Sequence, residues 1–123
     1  MGNKDNTILL VGGGIGGMAA ALALSQAGYE VDLMEQAQEL GEIGAGIQLG
    51  PNAFAAMDAL GCGPRARGRA VYNTELLMMD ALDESVVGCM ETGDAFRKRF
   101  NNPYAVIHRA DIHLSIYEEA QTH

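Results

Sequence analysis

Apolar residues recur along this chain with two periods, and the switches between them mark its elements. Thr7-Ile8-Leu9-Leu10-Val11 is a continuous apolar, β-branched run. It reads as a strand buried on both faces, as in a parallel sheet. Six residues, five of them Gly, follow at 12–17. Residues 18–27 are rich in Ala and Leu and read as a helix, with Gly28 as its stop. Residues 29–35 hold a second strand, with Val31, Leu33 and Met34 as its apolar members. Strand, turn, helix and strand thus fit into about thirty residues, the size of one βαβ unit.

The pattern then loosens. Gly41, Gly44, Gly46 and Gly50 make residues 36–50 a loop, with a short strand at 46–49. Pro51 suits the first position of a helix, which Ala53, Ala56, Met57 and Leu60 continue at helical spacing until Gly61. Residues 62–70 form a basic turn or short helix. Residues 75–82 and 85–91 read as two strands joined at the acidic turn Asp83-Glu84, hence a hairpin. Residues 93–102 are polar and read as irregular. A strand at 104–107 precedes a helix over 110–121, with Ile112, Ile116 and Ala120 in one stripe and Leu114 and Tyr117 beside it. That helix runs into Thr122-His123 with no strand after it, although a crossover helix normally leads to one. The expectation is an N-terminal piece of a longer protein. The class is α/β: a Rossmann-like parallel βαβ with an added β-hairpin.

Composition narrows this picture. At 123 residues the chain is one small unit. It is 48% hydrophobic and 20% charged, with 16 Gly and 3 Pro, which excludes disorder and collagen. A formal charge of −8 argues against nucleic acid as a partner. No apolar run approaches the ~20 residues of a membrane span, and no secretory cleavage pattern is visible. Cys62 and Cys89 form no C-x-x-C and read as reduced thiols of a cytoplasmic protein. Residues 1–64 hold one basic group, Lys4, against seven acids. An anion bound there would have to be held by backbone.

The chemistry concentrates in Gly12-Gly13-Gly14-Ile15-Gly16-Gly17, which satisfies G-x-G-x-x-G through Gly12, Gly14 and Gly17. It follows a strand and opens a helix, the context the motif requires. Gly12 permits the tight turn, Gly14 lets backbone approach a pyrophosphate, and Gly17 lets the helix pack on the sheet. The phosphates would meet free amide N–H groups and the positive end of the helix dipole. Glu35, 21 residues after Gly14, ends the second strand. Its carboxylate can accept from the ribose of an adenosine cofactor and would repel a 2′-phosphate. NAD and FAD can both use this arrangement.

The strings GGGIGGMAAALALSQAGYEVDLMEQ, GEIGAGIQLGPNAFAAMDALG and PYAVIHRADIH together resemble the FAD-dependent aromatic-ring hydroxylases, single-component flavoprotein monooxygenases. The likeness runs over residues 7–121 and favours the salicylate hydroxylase and 3-hydroxybenzoate 6-hydroxylase branch. The first string is shared by many flavoproteins; the other two are more specific. The resemblance implies that this is the N-terminal part of a Rossmann-like FAD-binding domain, with the hairpin at 75–91 contributing to a small accessory sheet. It implies FAD as cofactor, NADH or NADPH as electron donor, and O2 with a small aromatic acid as co-substrates. Residues Gly12, Gly14, Ile15, Gly16 and Gly17 would hold the FAD pyrophosphate. Glu35 would bind the ribose, with Gln36 beside it where many relatives carry a basic residue. Ala45, Gly46 and Gln48 match a stretch that passes near the flavin, and Arg109 matches an Arg set against the FAD. Arg109 also lies at a strand-to-helix junction, where parallel α/β sheets gather ligands. The loop matching residues 42–46 carries arginines in para-hydroxybenzoate hydroxylase; here Gly44 stands in it. Two further family motifs, Asp-Gly and Gly-Asp, lie past residue 123 in relatives, so the chain alone is expected to be inactive. No side chain is assigned a catalytic role, and homo-oligomerisation is compatible with the family.

The remaining signals are weaker. His108 and His113 are five apart, about 140° around a helix, and cannot share a metal. No metal is expected. The basic clusters Arg65-x-Arg67-x-Arg69 and Arg97-Lys98-Arg99 read as solvated surface, and Met78-Met79 as packing. Two rivals stand beside the hydroxylase reading: an NAD-dependent dehydrogenase fragment and a non-catalytic adenine-nucleotide-binding module.

Overall fold

The computed structural model describes residues 7–39 and 44–123. β1 (Ile8–Val11), α1 (Ile15–Gln26) and β2 (Val31–Met34) form the expected βαβ unit. The two strands are parallel, with Ile8 opposite Val31 and Val11 opposite Met34. α1 ends as its sequence demands. The Tyr29 N–H donates to the Leu24 carbonyl at 3.0 Å and the Gly28 N–H to the Ser25 carbonyl at 2.9 Å, with Gly28 left-handed at φ +89°.

Burial of β1 on both faces is not what the structure shows. Ile8 and Leu10 turn inward, whereas Leu9 is 57% and Val11 83% exposed, with Met34 beside them at 59%. The cause is one-sided cover. α1 packs on one face of the β1–β2 pair, and no described element lies on the other.

The next elements are β3 (Gly46–Leu49), α2 (Pro51–Ala59), α3 (Gly63–Arg69) and β4 (Val71–Tyr72). The hairpin is β5 (Glu75–Met79) with β6 (Val86–Glu91), and α4 (Asp94–Phe100), β7 (Ala105–His108) and α5 (Arg109–Ala120) complete the chain. Among the described residues β5 and β6 pair only with each other. The strand before α5 does not join a parallel sheet. β7 lies between β3 and β4 and is antiparallel to both. Ile47 faces Ile107 and Leu49 faces Ala105, so one side of this sheet feeds the core while Gln48 and His108 lie on the other.

Residues 93–102 are not irregular: α4 occupies seven of them. Its determinants are local. The rings of Phe96 and Phe100, four apart, sit 4.6 Å centre to centre, a helical i,i+4 pair. Arg97, Lys98 and Arg99 fill the last turn, where cations favour the helix dipole. Asn101, left-handed at φ 59°, stops it. α4 buries no residue fully, so it leaves no apolar stripe to read.

The core joins Met18 and Leu22 of α1, Leu49, Phe54 and Met57, Cys62 and Ala66, Ala105 and Ile107, and Ile112 and Ile116 of α5. Phe54, fully buried, rather than Ala56, anchors α2. In α5 the buried set includes His113 and Ser115, while Leu114 is exposed.

Candidate functional site

The glycine-rich turn leaves β1 by a tight connection. The Gly12 N–H donates to the Met34 carbonyl at 2.7 Å, and Gly12 itself has φ +104°. Gly14 is the N-cap of α1 and carries no side-chain cap; the first turn holds no acid. The first intrahelical bond runs from the Met18 N–H to the Gly14 carbonyl at 2.9 Å. The amides of Ile15, Gly16 and Gly17 precede it and have no acceptor within the helix. An uncapped N-terminus of a twelve-residue helix concentrates donors and positive potential where an anion would sit.

Glu35, just past β2, closes this turn. Its Oε2 accepts from the Gly13 N–H at 2.6 Å and its Oε1 from the Ala37 N–H at 2.8 Å. These two donors, Ala37 first and Gly13 second, hold its pKa below the ordinary carboxylate value. Glu35 is only partly exposed. Each oxygen keeps a second lone pair, so the carboxylate can still accept from a sugar hydroxyl. Gln36 is exposed beside it.

Ala45, Gly46, Gln48 and Arg109 gather elsewhere, at the end of the β3–β7 pair. The Arg109 N–H donates to the Ala45 carbonyl at 3.2 Å, and Gly46 pairs with His108. Gly44 makes room for Arg109: a Cβ built on it would lie 3.0 Å from the Arg109 Cβ. Gly41, Glu42 and Ile43 of this loop lie outside the described residues. The Arg109 junction is strand-to-helix as expected, but its sheet is antiparallel.

One residue ties the two groups together, and periodicity did not point to it. His113 of α5, 5% exposed, places Nε2 2.6 Å from the Gly13 carbonyl oxygen. Because a carbonyl only accepts, Nε2 carries the proton and donates. Both peptide groups flanking the Gly13 Cα are therefore held, the Gly12–Gly13 group by Glu35 at its N–H and the Gly13–Gly14 group by His113 at its oxygen. Arg109 stands four residues earlier on α5, about 6 Å along the axis. A polar residue in the buried stripe of α5 was the available signal.

The first basic cluster has structural partners. Arg65 pairs with Glu119 at 3.3 Å, and Arg69 reaches Glu118 at 2.9 Å and Ser115 Oγ at 2.8 Å, bracing α3 against α5. Arg67 pairs with Asp58 of α2, reaches Asn102 at 2.7 Å and lies 4.9 Å over the Phe54 ring. In the second cluster Arg97 lies over Tyr72 and Arg99 over Phe100. Cys62 and Cys89 are free thiols; burial pushes the pKa of Cys62 up. Among the described residues no group of three His, Cys, Asp or Glu could hold a metal ion. No described helix is long and apolar enough to cross a membrane.

The Arg67 pairing holds the pKa of Asp58 below its usual value, through a side-chain hydrogen bond first. A depressed folded pKa contributes stability above the unfolded value, near 4, and loses it as pH falls through the folded one. Asp58 is largely exposed, so Asp58→Asn should cost no more than about 1 kcal/mol at neutral pH. Urea unfolding over a series of falling pH values checks this: the difference between the two proteins should be largest at neutral pH and shrink as pH falls below the ordinary carboxylate range.

A family model described as an NAD(P)-binding Rossmann-like domain matches residues 10–65. The 3-hydroxybenzoate 6-hydroxylase of Polaromonas naphthalenivorans (strain CJ2) is 66% identical over 117 residues, 95% of this chain and 29% of that protein. The enzyme of the same name from Klebsiella oxytoca is 58% identical over 94% of this chain and 29% of its own length. The chain is similar in sequence to these hydroxylases. It spans about 29% of the length of the curated hydroxylases it matches. Among solved structures, a variant of 2-methyl-3-hydroxypyridine-5-carboxylic acid oxygenase superimposes with a TM-score of 0.80 at 27% identity. The overlap covers 95% of this chain and 29% of that oxygenase's chain. The likeness to these proteins thus extends across both the βαβ unit and the antiparallel sheet, well past residues 10–65.

Proposed function

We propose that this chain is the adenosine-diphosphate-binding portion of an FAD-dependent monooxygenase that hydroxylates a hydroxybenzoate-type acid with NAD(P)H and O2. One observation carries the cofactor reading. The uncapped amides opening α1 and a carboxylate locked to Gly13 at 2.6 Å lie at one turn. That pairing fits a diphosphate next to a ribose, and no Lys or Arg is required. The identity with 3-hydroxybenzoate 6-hydroxylases supports the substrate class.

Gly12, Gly14, Ile15, Gly16 and Gly17 would hold the diphosphate, and Glu35 the ribose, with Gln36 beside it. Ala45, Gly46, Gln48 and Arg109 would lie along the flavin side, reached through α5. FAD supplies the redox chemistry when bound; these residues bind and orient it. The hairpin of β5 and β6 would belong to an accessory sheet, and the protein would act in the cytoplasm.

Reconstituting the intact protein with FAD tests the reading. A yellow protein absorbing near about 450 nm, the region of oxidised flavins, should oxidise NAD(P)H faster when 3-hydroxybenzoate and O2 are present. A colourless protein that ignores FAD and binds NAD would instead establish the dehydrogenase alternative.

A further inference from the structure

We propose that His113 is a positioning residue for the diphosphate-binding turn. The proposal rests on the FAD reading above and adds a residue outside the fingerprint to it. Gly13 is buried between the first two glycines of the motif. Its N–H, part of the Gly12–Gly13 peptide group, is taken by Glu35 at 2.6 Å, which leaves the following Gly13–Gly14 peptide plane free to rock. The His113 Nε2–H on the carbonyl, also at 2.6 Å, removes this freedom. The Gly13 carbonyl and the Gly14 N–H belong to one planar trans peptide and point in opposite directions, so fixing the oxygen fixes the amide of Gly14, the N-cap of α1. His113 thereby aims the Gly14 amide, one of those that would meet the diphosphate, without touching the cofactor itself.

The imidazole suits this task better than an apolar residue of similar volume. A buried carbonyl left without a donor is costly, and the turn would relax by rotating the peptide to find another one. Rotation redirects the Gly14 amide as well. His113 also stands on the helix that begins with Arg109. The same helix therefore fixes the glycine turn and the start of the Arg109 cluster relative to each other.

The test uses the intact apoprotein titrated with FAD, with apoprotein melting measured in parallel. His113→Leu removes the donor. His113→Gln places an amide nitrogen near the original Nε2, whereas His113→Asn is too short to reach. Ile116→Val, in the core of the same helix, weakens packing without touching the turn. Expected are a loss of FAD affinity of about tenfold for Leu and Asn, the scale of one buried hydrogen bond, and near-native affinity for Gln and for Ile116→Val. If Leu does not fold, the Gln and Asn pair decides alone. Equal affinity for Gln and Asn, or an equal loss in Ile116→Val, overturns the proposal. Should Glu35→Ala weaken FAD while no His113 variant does, His113 falls and the cofactor reading stands. Wild-type protein that takes up no FAD removes both.

Discussion

Gly17→Ala is expected to leave no protein competent for FAD and to cost the fold on the order of 3 kcal/mol or more. A Cβ at Gly17 would overlap the Gly12 carbonyl oxygen and lie 3.0 Å from the Gly12 carbonyl carbon. Both are backbone atoms, and Gly12 is tied to Met34 through its N–H. Neither side can yield without separating α1 from β1 or opening the turn. Gly16→Ala is the matched control. Nothing lies within 4 Å of a Cβ there, and Ala is the better helix former by about 1 kcal/mol. Thermal melting of the two purified variants should therefore diverge. A Gly17→Ala protein that melts like wild type and keeps its flavin would show that the close approach is relaxed in solution.

Glu35→Ala should weaken FAD binding about ten- to a hundredfold, the scale of a lost charge-assisted hydrogen bond. Its effect is double, because the carboxylate also holds the Gly13 N–H at 2.6 Å. Glu35→Gln should rescue poorly. Both present partners, Gly13 and Ala37, are N–H donors, and the amide nitrogen of Gln would face one of them. The carboxylate pKa is lowered by the Ala37 and Gly13 amides. Its contribution to the turn is therefore present above the unfolded pKa, near about 4.3, and is lost as pH falls through the folded value. Flavin titration across pH 3 to 7 in wild type and Glu35→Ala checks both statements. Wild-type affinity should fall toward the variant's only at the acid end.

Much of this was legible because local rules and tertiary demands agree in the first fifty residues. A β-branched run, a glycine turn, an Ala-rich helix and a glycine stop each allow one conformation, and β1, α1 and β2 take it. The two-residue strand β4 was invisible because Val71-Tyr72 is too short to show a period. The antiparallel direction of β7 depends on Ile107 meeting Ile47, sixty residues away, and no local pattern encodes that choice. Phe54 was passed over because Ala53, Ala56 and Met57 describe an equally regular stripe; only packing decides which face turns inward. In the site, the glycines and Glu35 could be read because their spacing is itself the chemistry. His113 could not, since a histidine beside Ile112 acquires meaning only from the carbonyl it meets.

That meeting joins distant parts of the chain. Gly13 and His113 are separated by 100 positions, and contacts of such long separation form only after extensive ordering of the intervening chain. A ribosome making this protein displays the fingerprint early, yet the turn cannot reach its final shape until α5 has emerged and docked. On the proposed reading, coenzyme capture would wait for α5, and a nascent chain stalled before residue 113 would carry the motif without the grip.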